Sequence, residues 1–297
     1  MLNNLIPLDF HCHSTNSDGS YAVTNLLDKV LANGGKYIAL TDHDTVDGIH
    51  EARQYAKQIG LIFFAGVEIS VTWENNNLIH IVGLNIDENN SELIKKLNEL
   101  RSQRFTRGEK IANNLAKLGI PNALAGALKF CNNPNALSRT HFSLFLTEAG
   151  YAKPGKAFDK YLAPGKPGYV TYTWACLSDA VKWITNSGGI AIIAHPSRYK
   201  FTRTKLLRLI HDFKACGGRG IEVISSSHSK DDAYNIANIA KQEDLLASIG
   251  SDFHGDKQSY HKIKVGLNHP LPPIGCTPVY TEFGINNNDL ITNPNDI

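Results

Sequence analysis

Ile190-Ala191-Ile192-Ile193-Ala194-His195-Pro196 is a run of five apolar residues that ends on a histidine and is stopped by a proline. Such a run suits a buried strand, and proline cannot donate to a strand ladder, so His195 stands at the strand's C-terminal end. The arrangement recurs along the chain. Ile6 to Phe10 leads into His11-Cys12-His13, Tyr37 to Leu40 into Thr41-Asp42-His43-Asp44, and Leu61 to Val67 into Glu68. Gly220 to Ile224 carries Glu222, and Leu245 to Ile249 leads into Gly250-Ser251-Asp252-Phe253-His254. His80, inside Leu78-Ile79-His80-Ile81-Val82, is the exception that closes no run. Imidazoles and carboxylates at the ends of successive strands are the donors that a multi-metal hydrolase needs at the mouth of an α/β barrel.

Helical patterns separate these strands. Ala22 to Asn33 places Leu26, Leu27, Val30 and Leu31 at helical spacing before Gly34-Gly35, and Gly48 to Gln58 forms the next helix. Leu61 to Phe64, Val67 to Thr72 and Leu78 to Leu84 are expected strands, the last two joined by a hairpin turn at Asn75-Asn76-Asn77. This βαβα rhythm predicts a largely parallel sheet covered by helices. It breaks near Glu92. Ser91 to Leu118 is helical, with an apolar stripe at Leu93, Leu97, Leu100, Ile111, Leu115 and Leu118, and little strand signal follows before Pro167. Residues 101–168 are therefore expected to be a helical insertion, with 1–100 and 169–285 forming the main α/β domain. Beyond it come helices Leu177 to Ser187, Arg203 to Cys216 and Asp231 to Glu243, interleaved with the strands. The Asn-rich stretch Asn286 to Ile297 is expected to be a disordered polar tail.

Composition narrows the setting. The chain has 297 residues, 42% hydrophobic and 20% charged, with a net charge of +2. That balance leaves no general attraction for polyanions, so nucleic-acid contact must come from a local basic pocket. Five cysteines, odd in number and without CxxC spacing, suit reduced thiols. No stretch resembles a signal peptide or a membrane span, and the expected location is the cytoplasm, with no obligate protein partner indicated.

The residues differ in what each could otherwise be. Asp18, in Asn16-Ser17-Asp18-Gly19-Ser20, could be a turn residue, and His80 a satisfied core histidine. Glu68 follows Ala65-Gly66-Val67 and would be a buried carboxylate needing a cation. Asp42 and Asp44 could orient His43 between them. Cys12 should point away from its neighbouring histidines, and Glu222, also at a strand end, could be a carboxylate that supports ligands or a structural one. Mixed imidazole and carboxylate donors suit two to three divalent ions, Mn²⁺ first and Zn²⁺ or Fe²⁺ as alternatives.

These motifs, in this order, resemble the PHP (polymerase and histidinol phosphatase) family of metal-dependent phosphoesterases. The resemblance rests on the HxH opening, Thr41-Asp42-His43-Asp44, Gly66-Val67-Glu68, Ala194-His195-Pro196 and Ser251-Asp252-Phe253-His254. It extends over nearly the whole chain. Ser138-Arg139-Thr140-His141-Phe142 and Pro196-Ser197-Arg198-Tyr199 resemble the bacterial branch containing RNase AM and the 3′,5′-nucleoside bisphosphate phosphatases. The resemblance implies a distorted (β/α)₇ barrel of PHP type with a helical insertion as substrate cap. It also implies a trinuclear site. One metal takes His11, His13, Glu68 and Asp252; a second shares Glu68 with His80 and His195; a third takes Asp18, His43 and His254. Arg139, Lys166 and Arg198 become candidates for a phosphate away from the metals, and His141 is either a neighbour of the site or helix surface.

The activity implied is hydrolysis of the 3′-phosphoester of 5′-phosphorylated nucleotides. The substrates would be nucleoside 3′,5′-bisphosphates or short single-stranded 5′-phosphorylated RNA, cut 5′ to 3′. Two other readings remain at this stage: a phosphomonoesterase of histidinol-phosphate type, which needs no second phosphate pocket, and a catalytically idle metal-binding interaction module. No residue outside the ligand set stands out as a general acid.

Overall fold

A computed structural model of the chain describes residues 5–131, 133–256 and 264–291. It is an α/β fold on one mixed sheet. Its strands are β1 (Leu8–Asp9), β2 (Tyr37–Leu40), β3 (Ile62–Trp73), β4 (Asn77–Leu84), β5 (Ala175–Cys176), β6 (Ile190–Ile193), β7 (Gly220–Ile224) and β8 (Leu246–Ile249). The order across the sheet is β1-β2-β3-β4-β6-β7-β8, with β5 paired to the far end of β3. Helices α1 (Val23–Ala32), α2 (Ile49–Ile59), α6 (Leu177–Asn186), α7 (Arg203–Ala215) and α8 (Lys230–Gln242) alternate with the strands, within a residue or two of the expected bounds. The segment between β4 and β5 carries α3 (Ser91–Ala116), α4 (Ala123–Leu128) and α5 (Arg139–Glu148).

Two strand expectations need correction. Leu61 to Phe64 and Val67 to Thr72 are not separate: β3 runs unbroken through Ala65-Gly66, because Gly66 lets the strand approach the Leu40 carbonyl too closely for a side chain. The sheet is also less parallel than the rhythm implied. β4 is antiparallel to both β3 and β6. The Asn75–Asn77 turn joins β3 to β4 directly, and only a longer crossover could have made them parallel. This reversal explains His80. Parallel strands bring their C-terminal ends to one edge of the sheet, and an antiparallel strand brings its beginning there. His80 pairs with Ser70, two residues past Glu68, so it reaches the same edge from the start of β4.

At the margins of the sheet, the chain beyond β1 meets the chain beyond β8. Phe10 N–H donates to the Ile249 carbonyl at 3.0 Å, Asp252 N–H to His11 O at 2.7 Å, and His13 N–H to Phe253 O at 2.9 Å. The HxH segment and the Asp252–His254 segment are thereby laced together.

Helix α3 crosses between two apolar clusters. Leu93, Leu97 and Leu100 pack into the large core under the sheet. Ile111 and Leu115, further along the same helix, pack with Phe142, Leu146 and Leu162 in a smaller cluster. The supposed polar tail is ordered at its start: Asn287–Leu290 is a 3₁₀ turn, and Leu290 is buried in the large core. Residues 292–297 lie outside the described part. Because Leu290 is enclosed, Leu290→Ala should destabilise the protein by about 2–3 kcal/mol, the low end for a buried leucine, in urea or guanidinium unfolding. An unchanged midpoint would mean that the residue is surface after all.

Candidate metal centre

All nine expected ligands converge at one edge of the sheet. Glu68, fully buried in β3, is the hub. Its Oε2 lies 3.3 Å from Nε2 of both His11 and His13 and 2.9 Å from His43 Nδ1. Its Oε1 lies 2.9 Å from His80 Nδ1 and from His195 Nε2. Asp252 Oδ1 sits 3.4 Å from His11 Nε2 and 3.1 Å from His13 Nε2, and these two ring nitrogens are themselves 3.1 Å apart. Asp18 Oδ1 lies 3.2 Å from His254 Nε2 and 3.7 Å from His43 Nε2.

The donors fall into three overlapping groups: His11, His13, Glu68 and Asp252; His43, Glu68 and His80; and His13, Asp18, His43 and His254. The first coincides with the set implied by resemblance. In the second, His43 stands where His195 was expected, although His195 also touches Glu68. In the third, His13 joins the expected three.

Backbone turns aim these side chains. Asp44, His195 and Asp252 each lie just beyond a strand and adopt positive φ of 52°, 30° and 53°. Such conformations are uncommon for residues with a Cβ and are held here by the surrounding bonds. Tyr199 is one source of that hold. Its hydroxyl donates to Ala194 O at 2.8 Å and accepts from His80 N at 2.9 Å, tying the end of β6 to the start of β4. Glu222 supports two candidate ligands at once, at 2.6 Å from His11 Nδ1 and 2.6 Å from the His195 amide, whose proton it accepts. Of the two roles open to it, that is the supporting one. Asp42 and Asp44 do not orient the His43 ring as anticipated: neither hydrogen-bonds it among the described residues. Asp42 accepts from Ser14 N, Ser14 Oγ and Ser17 Oγ at 2.6–2.7 Å, fixing the turn that carries Asp18. Asp44 accepts from Ser70 N at 2.7 Å and pairs with Arg104. Cys12 is turned away, its Sγ 3.3 Å from Ala39 O.

The donor set fits divalent cations. Asp18 Oδ1, Glu68 Oε2 and His43 Nδ1, all within the candidate ligand groups, are buried without a hydrogen-bond partner among the described residues. Glu68 Oε2 and His43 Nδ1 are only 2.9 Å apart, yet they are not aligned as donor and acceptor. Buried polar atoms are ordinarily satisfied, and lone pairs that converge on shared points without bonding each other suit cations between them.

The electrostatics agree. Burial alone would raise the Glu68 carboxyl, but the facing His43, His11 and His80 rings outweigh it and hold Glu68 well below the usual carboxylate range. Burial is likewise outweighed at Asp252 by Arg198, His11 and His254, and at Asp18 by His254 and His43. Burial, with Arg198 nearby, pushes His195 down to about 4. At His13 burial is overcome by hydrogen bonds to Asp252 and Glu68, which push the ring up to about 9.

The expected phosphate binders separate. Arg198 pairs with Asp252 Oδ2. Lys166 is exposed in its turn, with no side-chain hydrogen bond among the described residues. Arg139 lies in an aromatic pocket, 5.7 Å over the rings of Phe158 and Tyr169, with Nη1 donating to Leu162 O at 3.2 Å. Two residues that the sequence reading passed over join it. Arg104 and Arg107 are both buried on α3, lying over Trp174 at 4.9 and 5.4 Å. Arg104 is paired with Asp44, whereas the hydrogen bond of Arg107 among the described residues is to Val170 O, at 3.4 Å. Burial, with Arg139 and Arg104 nearby, lowers Arg107 to about 9. The spacing Arg101-Arg104-Arg107, every third residue on a helix, was the available signal. His141 is not helix surface: it is buried, and its Nδ1 accepts the Ser138 amide at 3.0 Å.

The fold and this centre define an α/β protein with clusters of His, Asp and Glu side chains at one edge of its sheet that could hold metal ions. The chain belongs to the PHP domain family, whose model matches residues 9–161. A 3′,5′-nucleoside bisphosphate phosphatase of Chromobacterium violaceum is 45% identical over 277 residues, 93% of this chain and 96% of that protein. A 5′-3′ exoribonuclease of Haemophilus influenzae is 42% identical over 247 residues, 83% of this chain and 89% of that one. A solved structure of an amidohydrolase from Chromobacterium violaceum, with sulfate bound and no metal, has a TM-score of 0.89 at 44% identity, covering 94% of this chain and 96% of that chain.

Two outcomes follow from the geometry. In metal-free protein the raised His13 binds its proton more tightly folded than unfolded, so its stabilising contribution is complete below about pH 6.5 and lost as pH rises through about 9. A metal must displace that proton. Mn²⁺ binding near pH 7 should therefore release protons, read as a dependence of binding heat on buffer ionisation enthalpy, while the metal-free melting temperature falls from pH 7 to 9.5. Heat independent of buffer would contradict the ligand role of His13. Gly250 gives the second: a Cβ there would lie 2.3 Å from His11 Cβ and 3.0 Å from Glu222 Oε1. Gly250→Ala should displace His11 from Glu222 and weaken Mn²⁺ binding at least about tenfold by calorimetry; wild-type affinity would show that His11 is not a ligand.

Proposed function

We propose that this protein is a metal-dependent phosphoesterase that hydrolyses the 3′-phosphoester of nucleotides bearing a 5′-phosphate. Its substrates are nucleoside 3′,5′-bisphosphates and short 5′-monophosphorylated RNA, the latter trimmed 5′ to 3′. The observation that carries this reading is a group of three arginines near the candidate metal donors, Arg104 and Arg107 buried and Arg139 partly buried. Arg104, Arg107 and Arg139 crowd together, and among the described residues Arg107 has no carboxylate partner. Like charges held together out of water imply an anionic ligand that compensates them, and guanidinium groups suit phosphate. A phosphomonoesterase for a substrate with a single phosphate has no use for this pocket. The names of the two relatives described above, a bisphosphate phosphatase and an exoribonuclease, point the same way.

The nine donors would hold the metals as the resemblance groups them: His11, His13, Glu68 and Asp252; Glu68, His80 and His195; Asp18, His43 and His254. We assign Mn²⁺, with Zn²⁺ and Fe²⁺ also compatible with the donors. Bound there, divalent ions supply Lewis acidity, which activates water and neutralises phosphoryl oxygens. The chain's own part is placement. Arg104, Arg107 and Arg139 grip the 5′-phosphate, Trp174 and Tyr169 wall the pocket, Arg198 holds Asp252, and Glu222 holds His11. Lys166, at the exposed rim, and Arg198, tied to Asp252, are left out of the phosphate pocket. No general acid is assigned.

We read the sheet, whose first and last strands are laced by the bonds at His11, His13 and Phe10, as the distorted barrel of this family, and residues 101–168 as its substrate cap. Free thiols at all five cysteines suit a reducing cytoplasm, and no described helix is long and apolar enough to cross a membrane.

Mn²⁺-loaded protein should cleave 3′-phosphoadenosine 5′-phosphate and a 5′-phosphorylated RNA pentamer, and should spare the counterparts lacking the 5′-phosphate. Arg107→Ala should lower kcat/KM on both substrates by about tenfold to a hundredfold, the loss expected for a charge-assisted contact. Its action on a simple phosphomonoester should not change. Equal cleavage with and without the 5′-phosphate would overturn the substrate reading.

A further inference from the structure

The stretch Ser138-Arg139-Thr140 belongs to the phosphate pocket and to the metal centre at once. Arg139 lies in the arginine group, while the hydroxyls on either side of it both reach Asp18. Ser138 Oγ donates to Asp18 Oδ2 at 2.9 Å and Thr140 Oγ1 donates to the same oxygen at 2.8 Å. Both bonds go to one carboxylate oxygen. The other, Oδ1, is buried, has no hydrogen-bond partner among the described residues, and faces His254 and His43. The three residues form a stiff unit at the start of α5: Ser138 Oγ also accepts the Thr140 amide at 3.0 Å, and His141 Nδ1 accepts the Ser138 amide at 3.0 Å. Asp18 has only a short loop of its own, pinned from below by Asp42 through Ser14 and Ser17. From above, its orientation is set by α5.

We propose that this step couples the two halves of the site: a 5′-phosphate seated on Arg139 fixes the Ser138 and Thr140 hydroxyls, which present Asp18 Oδ1 to the third metal position. The inference rests on the phosphate pocket and ligand assignments of the preceding subsection. Linkage makes it reciprocal, so the metal at Asp18 tightens binding of a 5′-phosphate by the factor with which the phosphate tightens binding of the metal. The 5′-phosphate then acts on the catalytic centre as well as on binding. A nucleotide without it would meet a site whose third metal is weakly held. Ser138 and Thr140 are positioning residues in this scheme, since they act through Asp18.

The test is calorimetric titration of Mn²⁺ into metal-free protein, alone, with saturating AMP, and with adenosine, after correction for the weak hold of AMP itself on Mn²⁺. AMP carries the 5′-phosphate and has no 3′-ester to cleave. It should tighten the weakest Mn²⁺ site by about fivefold to a hundredfold, the usual range for coupled sites, and adenosine should not. Thr140→Val keeps the side-chain shape and leaves the Ser138 cap intact. It should weaken that one ion by about tenfold to a hundredfold and abolish the effect of AMP, and Thr140→Ser should restore both. A merely structural role for Thr140 would move the melting temperature without changing one metal site alone. If AMP binds, and binds less tightly to Arg107→Ala, yet leaves every Mn²⁺ affinity unchanged, the coupling is wrong and the phosphate pocket stands. If AMP does not bind, the pocket itself falls and the coupling falls with it. Wild-type metal affinities in Thr140→Val would overturn the role of the hydroxyls.

Discussion

A single carboxylate, Glu68, is buried and ionised at the ligand-bearing edge of the sheet with five imidazoles within 3.3 Å of its oxygens. Burying such a charge without compensation costs several kcal/mol, and imidazoles compensate by donating a ring N–H, by being protonated or by sharing a cation with it. The compensating groups come from the ends of β1, β2 and β6 and from the start of β4. Three strands must therefore end, and a fourth begin, at one level for one side chain to be tolerated. The reversal of β4 and the positive φ of His195 are local departures from regular structure that satisfy this requirement.

Around that hub lies a ring of carboxylates that bind no metal in the proposed scheme. Asp42 holds the Ser14–Ser17 turn, Asp44 ties Ser70 to Arg104, and Glu222 holds His11 and the His195 amide. Asp9 accepts the amides of Ser251 and Gly266 at 2.8 and 3.0 Å. Each sits within two residues of a candidate ligand or bonds to one directly. Their placement explains how ligands borne on loops stay aimed, because loop backbone without such anchors samples many conformations and would dilute the cluster. The Arg104–Asp44 pair extends the ring into α3, so the helix that carries Arg104 and Arg107 is fastened to the residue beside His43.

The legibility of the sequence follows the range of the interactions involved. His11, His43, Glu68, His195 and Asp252 could be read because each closes its own apolar run, which is a local pattern. His80 could not be placed that way, since its position depends on the direction of β4 relative to two other strands. β3 was divided at Ala65-Gly66 because a glycine in a strand reads as a break, whereas here it permits close approach of the neighbouring backbone. Arg104 and Arg107 were hidden for a similar reason. An arginine on a helix is ordinarily solvated, and the groups that these two lie against, Trp174, Asp44 and Val170 among them, are distant in the sequence. Leu290 was lost among asparagines, where composition describes the average of a segment and one apolar side chain decides its fate.

The proposed geometry would account for both activities named for the relatives without two sites. In a nucleoside 3′,5′-bisphosphate and in the first residue of a 5′-phosphorylated RNA, one ribose separates the 5′-phosphate from the phosphorus on the 3′-oxygen. Anchoring the first phosphate on the arginine group therefore brings the second to the same place in both. The substrates differ only beyond the 3′-phosphorus, where one carries free oxygens and the other continues as chain. A site that measures from the 5′ end is indifferent to that continuation provided its far side is open. A chain of net charge +2 adds little general attraction for a long polyanion. Affinity then resides in the terminal phosphate, which each cycle of cleavage regenerates on the shortened strand, because breaking the P–O3′ bond leaves the phosphate on the next nucleotide.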